Sequence, residues 1–156
     1  MTIRKAKEKD IPKIMELLAE VNRVHYEGRS DIFKLGCKYS EEEISAIIKN
    51  EKTPVLVAVD QDDVPMGYCF CIFKRYENDS ILTDIKTLYI DDLCVSSALR
   101  GRHIGKELYQ AALSLAKEEG CYNVTLNVWT CNPVAMRFYE SCGLTPQKLV
   151  MEYVIE

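Results

Sequence analysis

Two adjacent carboxylates, Asp91 and Asp92, stand shortly before a run of basic and glycine residues, Arg100, Gly101, Arg102, His103, Ile104, Gly105 and Lys106. A carboxylate pair can accept a proton or hold a cation. A basic loop that opens a helix can hold an anion, because the helix N-terminus exposes unpaired backbone N–H groups at the positive end of its dipole. Gly101 and Gly105 let the backbone approach such a ligand closely. The loop is neither the GxxxxGK[ST] of a P-loop nor the GxGxxG of a dinucleotide fold. Taken alone, it reads equally well as a solvated turn, and the aspartates as strand-end charges. Farther along, "NPVAMRFYE" carries an amide, Asn132, and a phenol, Tyr139. Pattern alone makes Tyr139 a packing residue on an apolar stripe with Ala135, Phe138 and Cys142.

The elements that must position these groups follow from periodicity. "KTLYIDDLCV" reads as a strand, His103 to Glu119 as a helix ended by Gly120, and "NVTLNVW" as the next strand. This strand–helix–strand crossover places two strands parallel. Strand neighbours face opposite sides, so one of Asp91 and Asp92 faces the site unless a bulge intervenes. Asp91, expected to share a face with Leu93, is the favoured one. Asn132 and Pro133 suit the start of a short helix that ends near Gly143. Upstream, residues 2–7 read as a strand, and Asp10 caps a helix with Ile11, Ile14, Met15, Leu18 and Val21 inward. Ser40 and Glu43 form a capping box for a second helix. "TPVLVAVD" and "VPMGYCFCIFKRY" form a hairpin about "DQDD", and apolar residues on both faces of its second strand require cover on both sides. "KLVMEYVI" is expected as a closing strand. Residues 22–40 lose periodicity and read as a broken connection. Tyr26, Glu27, Asp31, Phe33 and Tyr39 within it suit gripping an amine. Trp129 is read as core and His25 as surface.

The 156 residues are expected to form one domain, 1–156. A hydrophobic fraction of 47% and a charged fraction of 28% are those of a folded globular chain. The net charge of −4 disfavours a general nucleic-acid binder and suits a cationic partner. Seven cysteines without a CxxC pair, and two histidines, do not write a zinc site of ordinary spacing. No apolar run suits a signal peptide or a membrane span, so the expected location is the cytoplasm.

The order "YIDDLCV…RGRHIG" followed by "LNVWTCNPVAMRFYESCGL" resembles the GNAT acetyltransferase superfamily, most strongly over residues 86–145. The resemblance implies an α/β fold: a mixed, mostly antiparallel twisted sheet of about six to seven strands flanked by four helices, two central parallel strands splaying to admit coenzyme A. It implies acetyl-CoA as co-substrate, with Arg100 to Lys106 binding the pyrophosphate largely through main-chain amides. Leu93, Cys94 and Val95 would offer main-chain groups to the acetyl carbonyl and pantetheine arm, and Asn132 and Phe138 would contact the cofactor. Tyr139 would protonate the departing thiolate. The acceptor implied is an amine, on a polyamine-like small molecule or on a protein, acetylated by direct attack in a ternary complex; a homodimer is compatible. His103 departs from the family pattern, which has glycine there, and so puts a positive φ at this position in doubt.

Chemistry makes a parallel demand. A lysine-like amine of pKa about 10.4 is neutral in only about one molecule in a few thousand at pH 7, so a proton acceptor is useful. Asp91, Asp92 or a water can serve. A covalent route through Cys94 or Cys131 lacks a His/Asp partner pattern. A non-catalytic acyl-CoA-binding module is the alternative from another class.

Overall fold

The "DQDD" turn joins strand β2 (Val55–Val59) to β3 (Pro65–Lys74), counting Thr2–Lys5 as β1. In this computed structural model, which describes residues 1–155, the turn closes with Asp60 N–H donating to the Val64 carbonyl at 3.0 Å. All of β2 and the first seven residues of β3 are buried, as two-sided apolar strands require. Strand β4 (Thr87–Val95) lies beside β3, and β5 (Asn123–Leu126) beside β4. The sheet order is β1-β2-β3-β4-β5, antiparallel throughout except for the parallel β4/β5 pair.

Helices α1 (Ile11–Gly28) and α2 (Glu41–Lys49) cover one face, closing a core of Ile14, Leu17, Leu18, Ile44, Val57, Tyr68 and Phe70. Helices α3 (Ile104–Glu118) and α4 (Pro133–Ser141) serve the other face, with Leu56, Cys69, Leu88, Ile90, Leu108 and Phe138. The predicted box at α2 is formed: Glu43 N–H donates to Ser40 Oγ at 3.2 Å, and Ser40 N–H to Glu43 Oε2 at 2.7 Å. Asp10 does not cap α1. Its carboxylate is buried and accepts from Arg4 at 2.7 and 3.0 Å and from the Lys7 amide at 2.7 Å.

Three expectations are corrected. The sheet has five strands rather than six to seven. "KLVMEYVI" forms no strand, because no neighbouring edge pairs with it; Val150, Met151, Tyr153 and Ile155 are almost wholly exposed. As a result β5, expected in the centre, is an edge strand. Finally, α1 continues unbroken to Gly28. Its last two turns lose apolar periodicity because Asn22, Val24, His25 and Tyr26 are all half-buried, so no single stripe stands out.

Candidate active site

β4 gains one residue against β3. Phe70 pairs with Asp92 and Cys71 with Ile90, leaving Asp91 as the extra residue of a bulge. The usual alternation therefore fails at this point. Asp91 and Asp92 both face the α1/α2 side: Asp91 accepts from Tyr39, and Asp92 from Tyr68, two tyrosines of that core. Leu93 packs into the opposite core with Val95, so Asp91 does not share its face. The bulge also lies where the sheet opens. β5 pairs with β4 through Thr87–Ile90 and stops, while β4 runs on to Val95.

The two carboxylates differ in environment. Asp91 Oδ2 accepts from Tyr39 Oη at 2.6 Å and Lys38 Nζ at 2.8 Å, and its carbonyl accepts from the same ammonium at 3.1 Å. Asp92 Oδ2 accepts from Tyr68 Oη at 3.1 Å. Burial pushes the Asp92 carboxyl up to about 6, against the pull of the Lys38 charge and the Tyr68 hydroxyl. Burial and the adjoining aspartates raise Tyr39 and Tyr68 above the ordinary phenol range, so both stay protonated donors. Cys94 is buried, its thiol directed at the Leu17 carbonyl at 3.6 Å and pushed up to about 12 by burial, then by Asp92. Such a thiol is a poor nucleophile.

Past β4, Ser97–Leu99 makes a short 3-10 turn and the basic loop enters α3. His103 is its N-cap with φ 60° and ψ 7°, and Gly101 has φ 79°. A non-glycine residue thus occupies the left-handed conformation that the family's glycine would suit, at a cost of about 1–3 kcal/mol. Among the described residues, no amide from Gly101 to Lys106 donates to a carbonyl or side chain; the first such bond is Glu107 N–H to the His103 carbonyl at 3.1 Å. This is a row of free donors at a helix N-terminus, a fit for the phosphate oxygens of a coenzyme. Ile104 is buried and anchors the turn, while Arg100, Arg102 and Lys106 are exposed. Arg100 also approaches Glu20 at 3.8 Å, and Glu20 accepts from the Ser97 amide at 2.7 Å. Phe138 fills the space over Gly105, where an added Cβ would stand 3.4 Å from its ring.

Asn132 Oδ1 accepts from the Ala135 amide at 3.1 Å and caps α4, which leaves its side-chain NH2 as the outward donor. Tyr139, one residue past Phe138 and edge-on to it at 5.1 Å, is half-buried. Burial raises its hydroxyl well above the phenol range, and Cys69 and then Asp92 add to the effect. α1 closes the far end. Gly28 lies so near Cys131 that a Cβ would fall 2.8 Å from its sulfur. Phe33 stacks on His25 at 5.1 Å and meets Trp129 edge-on at 4.9 Å. Trp129 is accordingly 40% exposed rather than core, and burial lowers His25's pKa.

Of the segment 22–40, Tyr39 reaches Asp91 and Phe33 the Trp129 loop, while Asp31 is held in an ion pair with Arg29 at 2.8 Å. Lys38 and Tyr68 were not singled out by sequence. The available signal for Lys38 was a cation beside a tyrosine in a segment expected to grip an amine; for Tyr68, it was a lone phenol on a strand otherwise apolar on both faces.

A three-layered fold, helices on both faces of one sheet, with free amides at a helix start and paired carboxylates where two strands part, suits a group-transfer enzyme that takes an anionic carrier. The model of the acetyltransferase (GNAT) family matches residues 6–144, and the chain belongs to that family of acyltransferases, which use acetyl-CoA. Thialysine N-epsilon-acetyltransferase of Bos taurus is 31% identical over 146 residues, 90% of this chain and 82% of that protein. A mutant of the BH1408 protein from Bacillus halodurans superposes with TM-score 0.96 at 30% identity, covering 100% of both chains. An aminoglycoside N-acetyltransferase in complex with CoA shares the fold at TM-score 0.72 and 14% identity, covering 99% of each chain.

Proposed function

We propose that the chain transfers the acetyl group of acetyl-CoA to a flexible primary amine that arrives as a cation, by direct attack in a ternary complex. The carrying observation is the bulge at Asp91, which turns two carboxylates to one side of the opened strand pair. Asp91 is already an ammonium acceptor, with Tyr39 beside it. Asp92, at about 6, is ionised in about nine molecules of ten at pH 7 and can take the proton the amine sheds. A primary amine is also what the bovine relative's name specifies, and the net charge of −4 favours a cation.

The cofactor is proposed to lie between β4 and β5, its pyrophosphate on the amides of Gly101 to Lys106. Acetyl-CoA supplies the thioester carbon. The main-chain groups of Leu93 and Val95 hold the carbonyl and pantetheine arm, and the Asn132 side-chain NH2 touches the arm. Tyr139, whose hydroxyl keeps its proton, donates a hydrogen bond to the departing sulfur. The amine's lost proton completes the thiol's protonation through Asp92 or water. Cys94, with its thiol neutral and turned to α1, supports direct attack over a covalent route.

The test is thiol release from acetyl-CoA against a panel of lysine-like amines, polyamines, amino sugars and peptide amines. Turnover is expected to favour flexible primary amines. No release above hydrolysis with any amine overturns the transferase reading and leaves an acyl-CoA-binding module.

We also propose a homodimer. Support comes from the C-terminal segment, an apolar, strand-like sequence spent on solvent, and from β5, whose outer edge is unpaired. A second copy's segment would satisfy both.

A further inference from the structure

We propose that Lys38 is a substrate of the chain's own transferase centre, acetylated in cis when no external amine competes. The inference rests on the transferase reading above and adds a modification site to it. Three observations bear on Lys38. Its ammonium sits at the β4 bulge, bonded to both the carboxylate and the carbonyl of Asp91 at 2.8 and 3.1 Å, and 5.4 Å over the Tyr39 ring. That is the position an incoming amine must reach, two residues from Leu93. Its carrier, residues 29–40, is a loop of turns and bends with neither helix nor strand, and Lys38 stands at one of its bends, so the lysine is offered on an irregular segment rather than locked in an element. Finally, its side chain is 42% exposed. The lysine end of the pair is thus open to water, while Asp91 is only 13% exposed, and the ammonium can leave Asp91 and return deprotonated.

A tethered amine competes at an effective concentration far above that of a dilute acceptor. In the step, the neutral Lys38 Nζ attacks the thioester carbonyl carbon. The N–C bond forms and the C–S bond breaks. The sulfur leaves as thiolate and ends as thiol with the proton the nitrogen gives up through Asp92 or water. The products are Nε-acetyl-Lys38 and coenzyme A. Acetylation removes the charge that pairs with Asp91, so the carboxylate is freed for an external cation: the enzyme would begin with its acceptor place filled and open it by its own reaction.

The experiment incubates the full chain with acetyl-CoA and no added amine, then follows intact mass and maps the modified peptide. One acetyl group at Lys38 is expected, forming ~10²-fold faster than at the exposed Lys34, Lys117 and Lys148, at a rate independent of protein concentration. A good amine acceptor should suppress it, and Lys38→Arg, which keeps the charge, should abolish the increment while leaving the fold intact. Acetylation of Lys38 no faster than at the exposed lysines, or at a rate proportional to protein concentration, overturns the proposal. An unmodified Lys38 in a preparation that acetylates added amines overturns this inference alone; if added amines also fail, the transferase reading falls with it.

Discussion

Tyr68 donates its hydroxyl to Asp92 at 3.1 Å from the neighbouring strand, and both groups lie under α1 where water is scarce. Burial leaves the carboxyl near 6 against the downward pull of that hydrogen bond. Because only the ionised form accepts a proton, kcat/KM should rise with pH through about 6 and then level. Asp92→Asn should lower kcat about 10²-fold and erase that limb. Stability should move the opposite way. The native pKa of Asp92 lies above its ordinary 3.8, so the folded state binds the proton first, and this group's contribution to stability grows as pH falls from about 6 towards 3.8. Thermal melts of the two proteins across pH 4–8 check the sign: the wild type should lose ground to Asp92→Asn as pH rises from 4 to about 6, and the gap should then stay constant.

Tyr139→Phe keeps the ring on Phe138 and removes the donor. Loss of one hydrogen bond to a developing anion predicts a fall in kcat of about 10²-fold with the KM for acetyl-CoA within a few-fold. The loss should shrink for acyl donors with more acidic thiols, which need less help to leave. An unchanged kcat would remove Tyr139 from the reaction.

His103 holds φ 60° without the freedom of glycine. His103→Gly should stabilise the chain by about 1 kcal/mol, the relief of left-handed strain exceeding the added freedom of the unfolded chain. If the pyrophosphate ligands are main-chain amides, affinity for coenzyme A measured by calorimetry should change less than threefold or so. Loss of binding would make the imidazole itself a ligand.

Val150 is 90% exposed in the single chain. Val150→Asp should therefore cost a monomer nothing, within about 0.5 kcal/mol. In a dimer that buries the segment it should shift the light-scattering mass from twice 17.9 kDa to the single-chain value. A wild type that is monomeric at all concentrations refutes the dimer.

Local chemistry was legible in the sequence, and register was not. Ser40 with Glu43, and Asn132 with Pro133, announce helix starts because capping is settled within four residues. Two-faced burial of β3 followed from its composition. The Asp91 bulge belongs to the pairing of two strands, and nothing within "YIDDL" marks which residue is extra. "KLVMEYVI" has every local property of a strand, yet a strand exists only when paired along an edge, and within the described residues this segment pairs with neither free edge of the sheet. Lys38 escaped notice for a related reason. Its partner lies 53 positions away, a separation no spacing rule reaches.

The bare contact of Gly28 with Cys131 joins the helix that leads to the Lys38 segment directly to the start of the helix that carries Tyr139. Because Gly28 has no Cβ, the Cys131 side chain sits directly on the α1 backbone, and the two helix ends are coupled through that one thiol. A change that widens this joint moves the amine's approach and the thiol's exit together, so neither can be retuned there without disturbing the other.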